Sequence, residues 1–512
     1  MNINANRSTL NQIKRHIIPI VFAVVAYILL LSHADYLYAL QEESLFVSGR
    51  TFMQETLLCR NGLWAWSGCF FTQFFYYPLL GSSIIIAMWL LSYYSLLWLT
   101  RWKDWRRIIT ILPSCYLLWT LLCLGYWMYY VKSPGYAFIP TLVLLTVSLG
   151  SFLLDRLLLR LFKRVNWWQP YAVLIILFVA CRPQLRIYSL TLPDSRLYSE
   201  LRMQRAIEDC RWQDVIDEHL KVKQPTNLMV LYKNIALMHS GRLQEIFKTN
   251  NCGVNPPSPI SLIPCDTLHL HIAQLAATTA YYQYGQLNYA YRWAMENSVE
   301  YGPSVRNLKT MARCAILNQE FDLAEKYLLQ LRNTMFHKHW AEEQNRQMRS
   351  STLVMQSADF QNIAPLLLDE GNVLDVDEGF PEQWILNHFS DLVQAANPKL
   401  EELIITTSLW TKDEYAFDIH FYNYVNNHPN DAIPLLYQEA AIMLCTKESS
   451  PIQLDNFPFD KFISDRYNNF VRDYNQLSTM PISSDEMAGR LHAVYGDTYW
   501  WYYYFYTDFN IY

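Results

Sequence analysis

Three acidic residues near the start of the chain, Asp35, Glu42 and Glu43, are the first candidates for chemistry. Asp35 lies at the end of a long apolar run, and an aromatic-rich stretch follows the three acids. Membrane glycosyltransferases that use lipid-linked sugars place a catalytic acid at such a position. Asp35 is a candidate catalytic residue by this analogy in the order of the segments. The alternative interpretation is an acid in the lipid headgroup region with no special role.

Other patterns that carry chemistry are incomplete. The sequence has no phosphate-binding loop, dinucleotide fingerprint or nucleophile elbow. The acidic stretch at 375–379 lacks the third oxygen ligand and the spacing of a calcium loop. His269 and His271, like His337 and His339, are two residues apart, which places them on different faces of a helix. We therefore predict no metal site and no cofactor.

The ten cysteines contain no Cys-x-x-Cys pair. Cys252 and Cys265 flank a proline-rich loop, and in an oxidising compartment a disulfide between them would contribute about 3 kcal/mol in the chain-entropy model. Cys59 and Cys69 are a second candidate pair. The sequence leaves open whether either disulfide forms.

The elements that must position these residues begin with apolar segments. About 20 apolar residues span a bilayer, with about 17 as the lower limit. We interpret the first segment as an uncleaved signal anchor, although Ser32-His33-Ala34 has the small-residue pattern of a cleavage site. The predicted membrane helices are 16–40, 79–99, 108–130, 136–154 and 165–181.

Positive charge sets the predicted orientation. With five spans, eleven Lys and Arg residues flank the helices on one side and three on the other. This bias predicts a cytoplasmic N-terminus, with residues 190–512 in the periplasm of a bacterial inner-membrane protein. If 165–181 does not span, the large region reverses its side.

Two stretches are so rich in aromatic residues that their apolar surface must be buried against protein, lipid or a ligand. The first is the stretch 62–78, at the end of the long outer loop 41–78. We interpret it as an interfacial helix or as a lid over a site near the acids. The second is the C-terminal segment from 497, which is predicted to pack as a final helix, to lie against the first stretch, or to offer a platform for a sugar. The candidate interface residues are Trp64, Trp66, Phe70, Phe71, Phe74, Phe75, Trp500, Trp501 and Tyr504.

Internal similarity predicts helical repeats between the membrane part and residue 340. The stretches 284–294 and 318–328 align at a shift of 34 residues, with Leu287 on Phe321 and Ala290 on Ala324. This pattern resembles the tetratricopeptide repeat. Related turns near 210 and 241 bring the expected number of helix pairs to about four. Such stacks share one core and bind extended peptides or partner helices.

The whole chain resembles a family of uncharacterised multi-pass inner-membrane proteins of Bacteroidetes. "FFTQFFYYPLLG" (70–81) and "DTYWWYYYF" (497–505) carry the likeness. The resemblance implies a membrane location and no particular activity.

Together these patterns predict an all-α protein in three parts: a membrane domain (1–189), tetratricopeptide-like repeats (190–340) and a helical continuation or cap (341–512). The expected function is non-enzymatic presentation of a periplasmic repeat domain to a protein partner, with membrane lipids around the anchor. The net charge of −5 gives no reason to expect nucleic-acid binding. The alternative is a membrane transferase with Asp35 in its site.

Overall fold

The regular structure of this chain is helical. The computed structural model describes residues 3–58, 62–100, 104–130, 137–161, 192–223, 225–247, 270–367, 385–386, 398–444 and 457–505. These residues contain no strand, which confirms the predicted all-α class.

The α-helices, in chain order, are α1 Ile3–Ser32, α2 Ala34–Glu42, α3 Arg50–Leu58, α4 Gly62–Thr72, α5 Pro78–Thr100, α6 Leu112–Leu122, α7 Ile139–Leu161, α8 Ser195–Glu208, α9 Trp212–Leu220, α10 Asn227–His239, α11 Leu270–Gln283, α12 Leu287–Tyr301, α13 Val305–Leu317, α14 Phe321–Arg332, α15 Lys338–Gln347, α16 Ser351–Gln356, α17 Pro398–Trp410, α18 Glu414–Asn427, α19 Leu435–Leu444, α20 Lys461–Ser478, α21 Ser484–Tyr495 and α22 Tyr499–Phe505. Short 3₁₀ segments are Gln73–Tyr76, Asp104–Ile111, Gly125–Tyr130, Leu243–Glu245 and Ala364–Leu366.

The chain divides into two compact units. Unit 1 contains Met1–Tyr198 and Ala294–Arg349, and unit 2 contains Ser199–Trp293 and Ser350–Tyr512. The predicted domain boundaries at 189 and 340 stay predictions, and part of the predicted repeat region falls in unit 1.

Unit 1 contains the helices that could cross a membrane. Two are long and apolar enough: α5, and the Ile139–Leu157 part of α7. The pair His16–Ser32 and Ala34–Glu42 is a third candidate, although its two helices meet at 70°. The described residues therefore hold two candidate spans, or three if the bent pair counts as one.

The predicted membrane segment 108–130 is not one continuous helix. Only the 11 residues of α6 are α-helical, between two 3₁₀ segments. Pro113 lies in the first turn of α6, where a backbone N–H has no partner within the helix and its absence costs nothing. The residue before a proline is disfavoured in the α-helical conformation, so the α-helix does not extend toward residue 108. Gly125, with φ of +51°, follows the helix. The predicted segment 165–181 lies outside the described residues.

Within the described residues, five pairs of consecutive helical segments are joined by the same turn, and in one pair the second member is the 3₁₀ segment Leu243–Glu245. In each pair a residue with positive φ lies two positions after the last residue of the first helix, and the amide N–H of the next residue donates to the carbonyl five positions before it, at 2.7–2.9 Å. This is the Schellman motif, which satisfies the last carbonyls of a helix. The residues with positive φ are Cys210, Gly241, Gly285, Gln319 and Lys412.

In every case the next helix starts two residues after that positive-φ residue. Gly285 and Gln319 are 34 residues apart, and Leu287 and Phe321 begin α12 and α14 as the sequence alignment requires. Thr278 in α11 and Ala312 in α13, small residues that are also 34 positions apart, are both buried. The turn at Lys412 was not found from the sequence, because its neighbours share no residue pattern with the other four.

The C-terminal aromatic segment lies inside unit 2. α22 packs against α19 and α21, and residues 499–502 are at most 1% exposed. The Trp500 and Trp501 indole nitrogens donate to the carbonyls of Glu439 and Ala488, both at 2.9 Å. A buried ring whose polar atom finds a partner stabilises a core at no polar cost, so this segment is a core element of the unit.

Candidate functional site

A buried polar region of unit 1 lies at the end of α2. Gln41 and Glu42 close this helix and are 2% and 1% exposed, and Glu43 follows them. Carboxylates are almost never buried in this way unless they are paired, so their partners are the first question.

The partners of these carboxylates come from α13. The Lys309 ammonium lies 3.1 Å from one Glu42 carboxylate oxygen and 3.3 Å from the other, and the Arg306 guanidinium donates to Glu43. Arg306 and Lys309 are three residues apart and share one face of the helix. Ser304 caps α13 by accepting from the Asn307 amide. We call these two ion pairs the charged joint.

A histidine completes the charged joint. The His337 Nε2 atom lies 2.7 Å from the Gln41 amide nitrogen and 3.9 Å from a Glu42 carboxylate oxygen. Because His337 precedes α15, the site combines residues nearly 300 positions apart in the sequence.

The charges of the joint are settled by burial and by neighbours. Burial raises the pKa of Glu42, but Lys309, His337 and Arg306 together hold the pKa at about 2, so this group is a carboxylate. Burial, with help from Lys309, lowers the pKa of His337 to about 4, so its ring is neutral at pH 7. Glu42 is thus paired with Lys309, and Glu43 is paired with Arg306. Each acidic side chain of the joint already has a basic partner.

We expect His337 to make the stability of the protein depend on pH. Its pKa is lower in the fold than in the unfolded chain, so the unfolded chain binds more protons between about pH 6.5 and 4. Stability from this group is therefore complete above about pH 6.5 and is lost as the pH falls toward 4. When the pH falls from 7.5 to 5, the unfolding free energy of the wild type should decrease by about 2 kcal/mol more than that of His337→Gln.

The control for this experiment is His339→Gln, because the His339 side chain is 88% exposed. It should keep the wild-type pH dependence. An identical pH dependence in the wild type and His337→Gln would contradict the assignment of a neutral buried ring.

A small cavity adjoins the charged joint. It has room for about one water molecule, about 10 Å³. Two of its buried side chains, Gln41 and Gln73, each have an amide oxygen that no group in the described part of the chain satisfies. A water molecule that donates to both oxygens would remove the free-energy cost of burying them without a hydrogen-bond donor. The cavity is lined by Gln41, Ser44, Phe46, Gln73, Val305, Thr334, Phe336 and His337.

Aromatic residues from the predicted outer loop cover this region. Phe46 meets the Trp66 and Phe70 rings at 5.6 and 5.3 Å between ring centroids. Phe336, next to His337, stacks on Tyr76 at 5.3 Å and 2° between planes. Aromatic residues of the stretch 62–78 thus pack against Phe46, Phe336 and His337 beside the charged joint. The lid over a site near the acids stays a prediction.

The remaining candidate interface residues are placed as follows. Trp64 is half-buried in α4, and Phe71 and Phe75 contact Phe138 at 5.7 and 5.0 Å. Phe74 contacts Phe336 at 5.9 Å. In unit 2, Trp500 and Trp501 are fully buried, and Tyr504 is 38% exposed.

The other predicted residues lie apart from the charged joint or outside the described residues. Asp35 is half-buried in the first turn of α2, where a negative charge suits the helix dipole. Cys69 is buried in α4. Cys59, Cys252 and Cys265 lie outside the described residues. Within the described residues, no three His, Cys, Asp or Glu side chains are arranged to hold a metal ion.

Sequence reasoning missed Arg306 and Lys309, and it weighed His337 only as a possible metal ligand beside His339. One signal was available: two basic residues in the first turns of a capped helix oppose the helix dipole, so they indicate acidic partners nearby. The sequence does not show which acids these are.

Comparison with known proteins identifies a family and no activity. A family model described as "Family of unknown function (DUF6057)" matches residues 10–154 and 115–506. No curated protein and no solved structure matches the chain. The two matched ranges together cover nearly the whole sequence, and the chain therefore belongs to the DUF6057 family of unknown function.

Proposed function

We propose that this protein is an integral inner-membrane protein with five crossings, and that it presents a set of helix hairpins to protein partners on the periplasmic side. The observation that carries the proposal is the charged joint. Glu42, the last residue of α2, and Glu43 come after the apolar helix α1, and they hold α13 through Lys309 and Arg306. If residues 16–32 cross the membrane from the cytoplasm, then α13 lies on the opposite side.

The directions of α5 and α7 support the proposed third crossing. Phe75 and Phe138, which precede these helices, are 5.0 Å apart, and Trp98 and Phe152 near the other ends are 4.5 Å apart. The two helices are therefore parallel. The chain between two parallel helices has to return to the side from which it started.

Contacts of the connecting segment agree with such a return. Ile111 packs against Tyr93 and Leu97, toward the end of α5. At the opposite end, the Tyr36 hydroxyl donates to the Leu121 carbonyl at 2.9 Å and accepts from the Gly125 amide at 3.2 Å. The chain from 111 to 125 thus runs in the direction opposite to α5, although only α6 is α-helical in it.

The residues that flank the predicted fifth segment support a fifth crossing. α7 ends at Leu161, remote from its start beside Phe75. The chain is next described at 192–198, where Pro193 lies against Gly125 and the Tyr198 ring contacts His33 at 4.6 Å. These contacts are on the side of α2. An apolar segment at 165–181 would connect the two sides.

The hairpin turns support the binding part of the proposal. Helix pairs joined by a repeated turn stack on one another, and the stacks offer long surfaces to peptides and helices. A tetratricopeptide-like role for residues 190–340 is accordingly part of the proposal.

Reporter fusions test the proposed sidedness. Alkaline phosphatase fused after Tyr512 should be active, because the enzyme folds only in the periplasm. The matched control is a fusion after Lys103, in the loop that the charge bias places in the cytoplasm, and it should be inactive. An inactive fusion at Tyr512 with an active cytoplasmic reporter there would refute the proposal.

The transferase alternative receives no specific support from the charged joint. Glu42 and Glu43 are already matched by cations, and a general acid or base must be able to exchange a proton with its substrate. The role of Asp35 stays a prediction from the sequence.

A further inference from the structure

The helices α17 and α18 form a hairpin in unit 2, and side chains join its two open ends. Glu401 lies in the first turn of α17, and His428 is the residue that follows α18. The His428 Nε2 atom lies 2.7 Å from a Glu401 carboxylate oxygen. The opposite end, with the turn at Lys412, is fixed separately, because the Tyr502 hydroxyl donates to the Trp410 carbonyl at 2.6 Å.

His428 has a second acidic partner in the loop after α18. Its Nδ1 atom lies 3.1 Å from an Asp431 carboxylate oxygen. An ionised carboxylate can only accept hydrogen bonds, so a ring with a carboxylate at each nitrogen has to donate from both nitrogens. The imidazolium, which carries a proton on each nitrogen, is the form of the ring that fits this arrangement. The contacts of the closed hairpin therefore require a positively charged His428.

The surroundings of the pair favour the same charges. An acid in the first turn of α17 and a cation at the end of α18 both suit the helix dipoles. Glu401 is 2% exposed, and it also accepts from the Asn427 amide at 3.0 Å. Lys399, in the same turn, acts electrostatically on His239. Among the described residues, His428 is the cation paired with Glu401, and a neutral ring would leave this buried carboxylate without a compensating charge.

The remaining titratable groups around His428 are two tyrosines and one acid. The Tyr424 ring lies 4.6 Å from the His428 ring and 5.3 Å from the Tyr437 ring of α19, between centroids. Burial raises the pKa of both hydroxyls, and Glu402 of α17 adds to the rise electrostatically. Both tyrosines therefore keep their protons in mildly alkaline medium, and His428 is the group whose charge changes there.

The direction of the pH effect follows from the contacts of the ring. The hydrogen bond to Glu401 raises the pKa of His428, burial opposes the rise, and the hydrogen bond to Asp431 adds to it. The pKa is thus higher in the fold than in the unfolded chain. Stabilisation by this group is complete below about pH 6.5, and it is lost as the pH rises through the pKa of the folded state.

We propose that Glu401, His428 and Asp431 form a pH-dependent clasp, which closes the α17–α18 hairpin at neutral and mildly acidic pH and releases its open end in alkaline medium. Release frees the last turn of α18, where Tyr424 packs between His428 and Tyr437. The clasp involves residues of unit 2, so it does not depend on the proposed membrane placement.

Hydrogen exchange of the full-length protein in detergent, followed by mass spectrometry, tests the clasp. After correction for the intrinsic exchange rate, the amides of 422–428 should be about tenfold less protected at about pH 8.5 than at about pH 6. His428→Gln replaces the ring by a side chain that does not titrate, and it should remove this pH dependence.

The segment 463–469 is the control within the same protein. Arg466 in this segment donates to Asp497 at 2.6 Å, and its side chain is 23% exposed, as is that of His428. A guanidinium stays charged over the whole pH range of the experiment, so the protection of 463–469 should be the same at both pH values.

Equal protection of 422–428 at the two pH values in the wild type would overturn the proposal without any variant. A loss in His428→Gln as large as in the wild type would overturn it as well. Asp431→Asn keeps the buried pair but leaves the ring with one acidic partner, so the loss of protection should occur at lower pH than in the wild type. An unchanged midpoint in Asp431→Asn would contradict the three-residue clasp.

Discussion

Arg306→Met is expected to destabilise the protein by about 3–5 kcal/mol, because it leaves the Glu43 carboxylate buried without its cation. The Arg306 and Glu43 side chains are 8% and 7% exposed, so water cannot replace the lost partner. Denaturant titration of the detergent-solubilised protein measures the change in unfolding free energy.

The double variant Glu43→Gln with Arg306→Met should recover a large part of that loss, because no uncompensated charge remains. Arg490→Met is the matched control. Its partner Glu486 and Arg490 itself are both 50% exposed, and the loss of such a surface pair costs less than about 1 kcal/mol. Equal losses in Arg306→Met and Arg490→Met would show that the charged joint is not a buried, desolvated pair.

Trp500→Ala is expected to cost about 3–5 kcal/mol, as truncation of a large buried ring usually does. Trp500 is fully buried between α19 and α20, where it contacts Tyr467 at 5.2 Å between ring centroids. The substitution leaves a cavity and removes the hydrogen bond to the Glu439 carbonyl.

Tyr415→Ala serves as the control for that experiment, because Tyr415 is 78% exposed in the same unit and its loss should cost about 0.5 kcal/mol. Trp500→Phe keeps most of the ring but loses the indole N–H, and it should be intermediate. If Trp500→Ala were as stable as Tyr415→Ala, the C-terminal segment would not be a core element, and the sugar-platform interpretation would regain its basis.

Local patterns in the sequence were sufficient to predict the positions of several helices. The uncharged apolar run at 79–99 predicts α5 within one residue at each end, since helix formation satisfies every backbone polar group of an apolar segment. The shift of 34 residues predicts the starts of α12 and α14, because a repeated turn imposes the same register on each following helix. Both features depend on contacts between residues close in sequence.

The helix at 112–122 shows where such patterns mislead. Apolar composition predicts one long helix over 108–130, but Pro113 and Gly125 divide it. Hydropathy records the preference for lipid, and it does not register the backbone limits that end a helix.

The sequence by itself determined the helical class, the apolar segments and the positions of the hairpin turns at Cys210, Gly241, Gly285 and Gln319, since each depends on short-range periodicity and on single residues. Only the tertiary structure decided that Glu42 and Glu43 meet Lys309, Arg306 and His337, more than 260 residues away. The physical reason is that a buried charge specifies only the sign of its partner. Which of the many basic residues fills that role depends on how the helices pack.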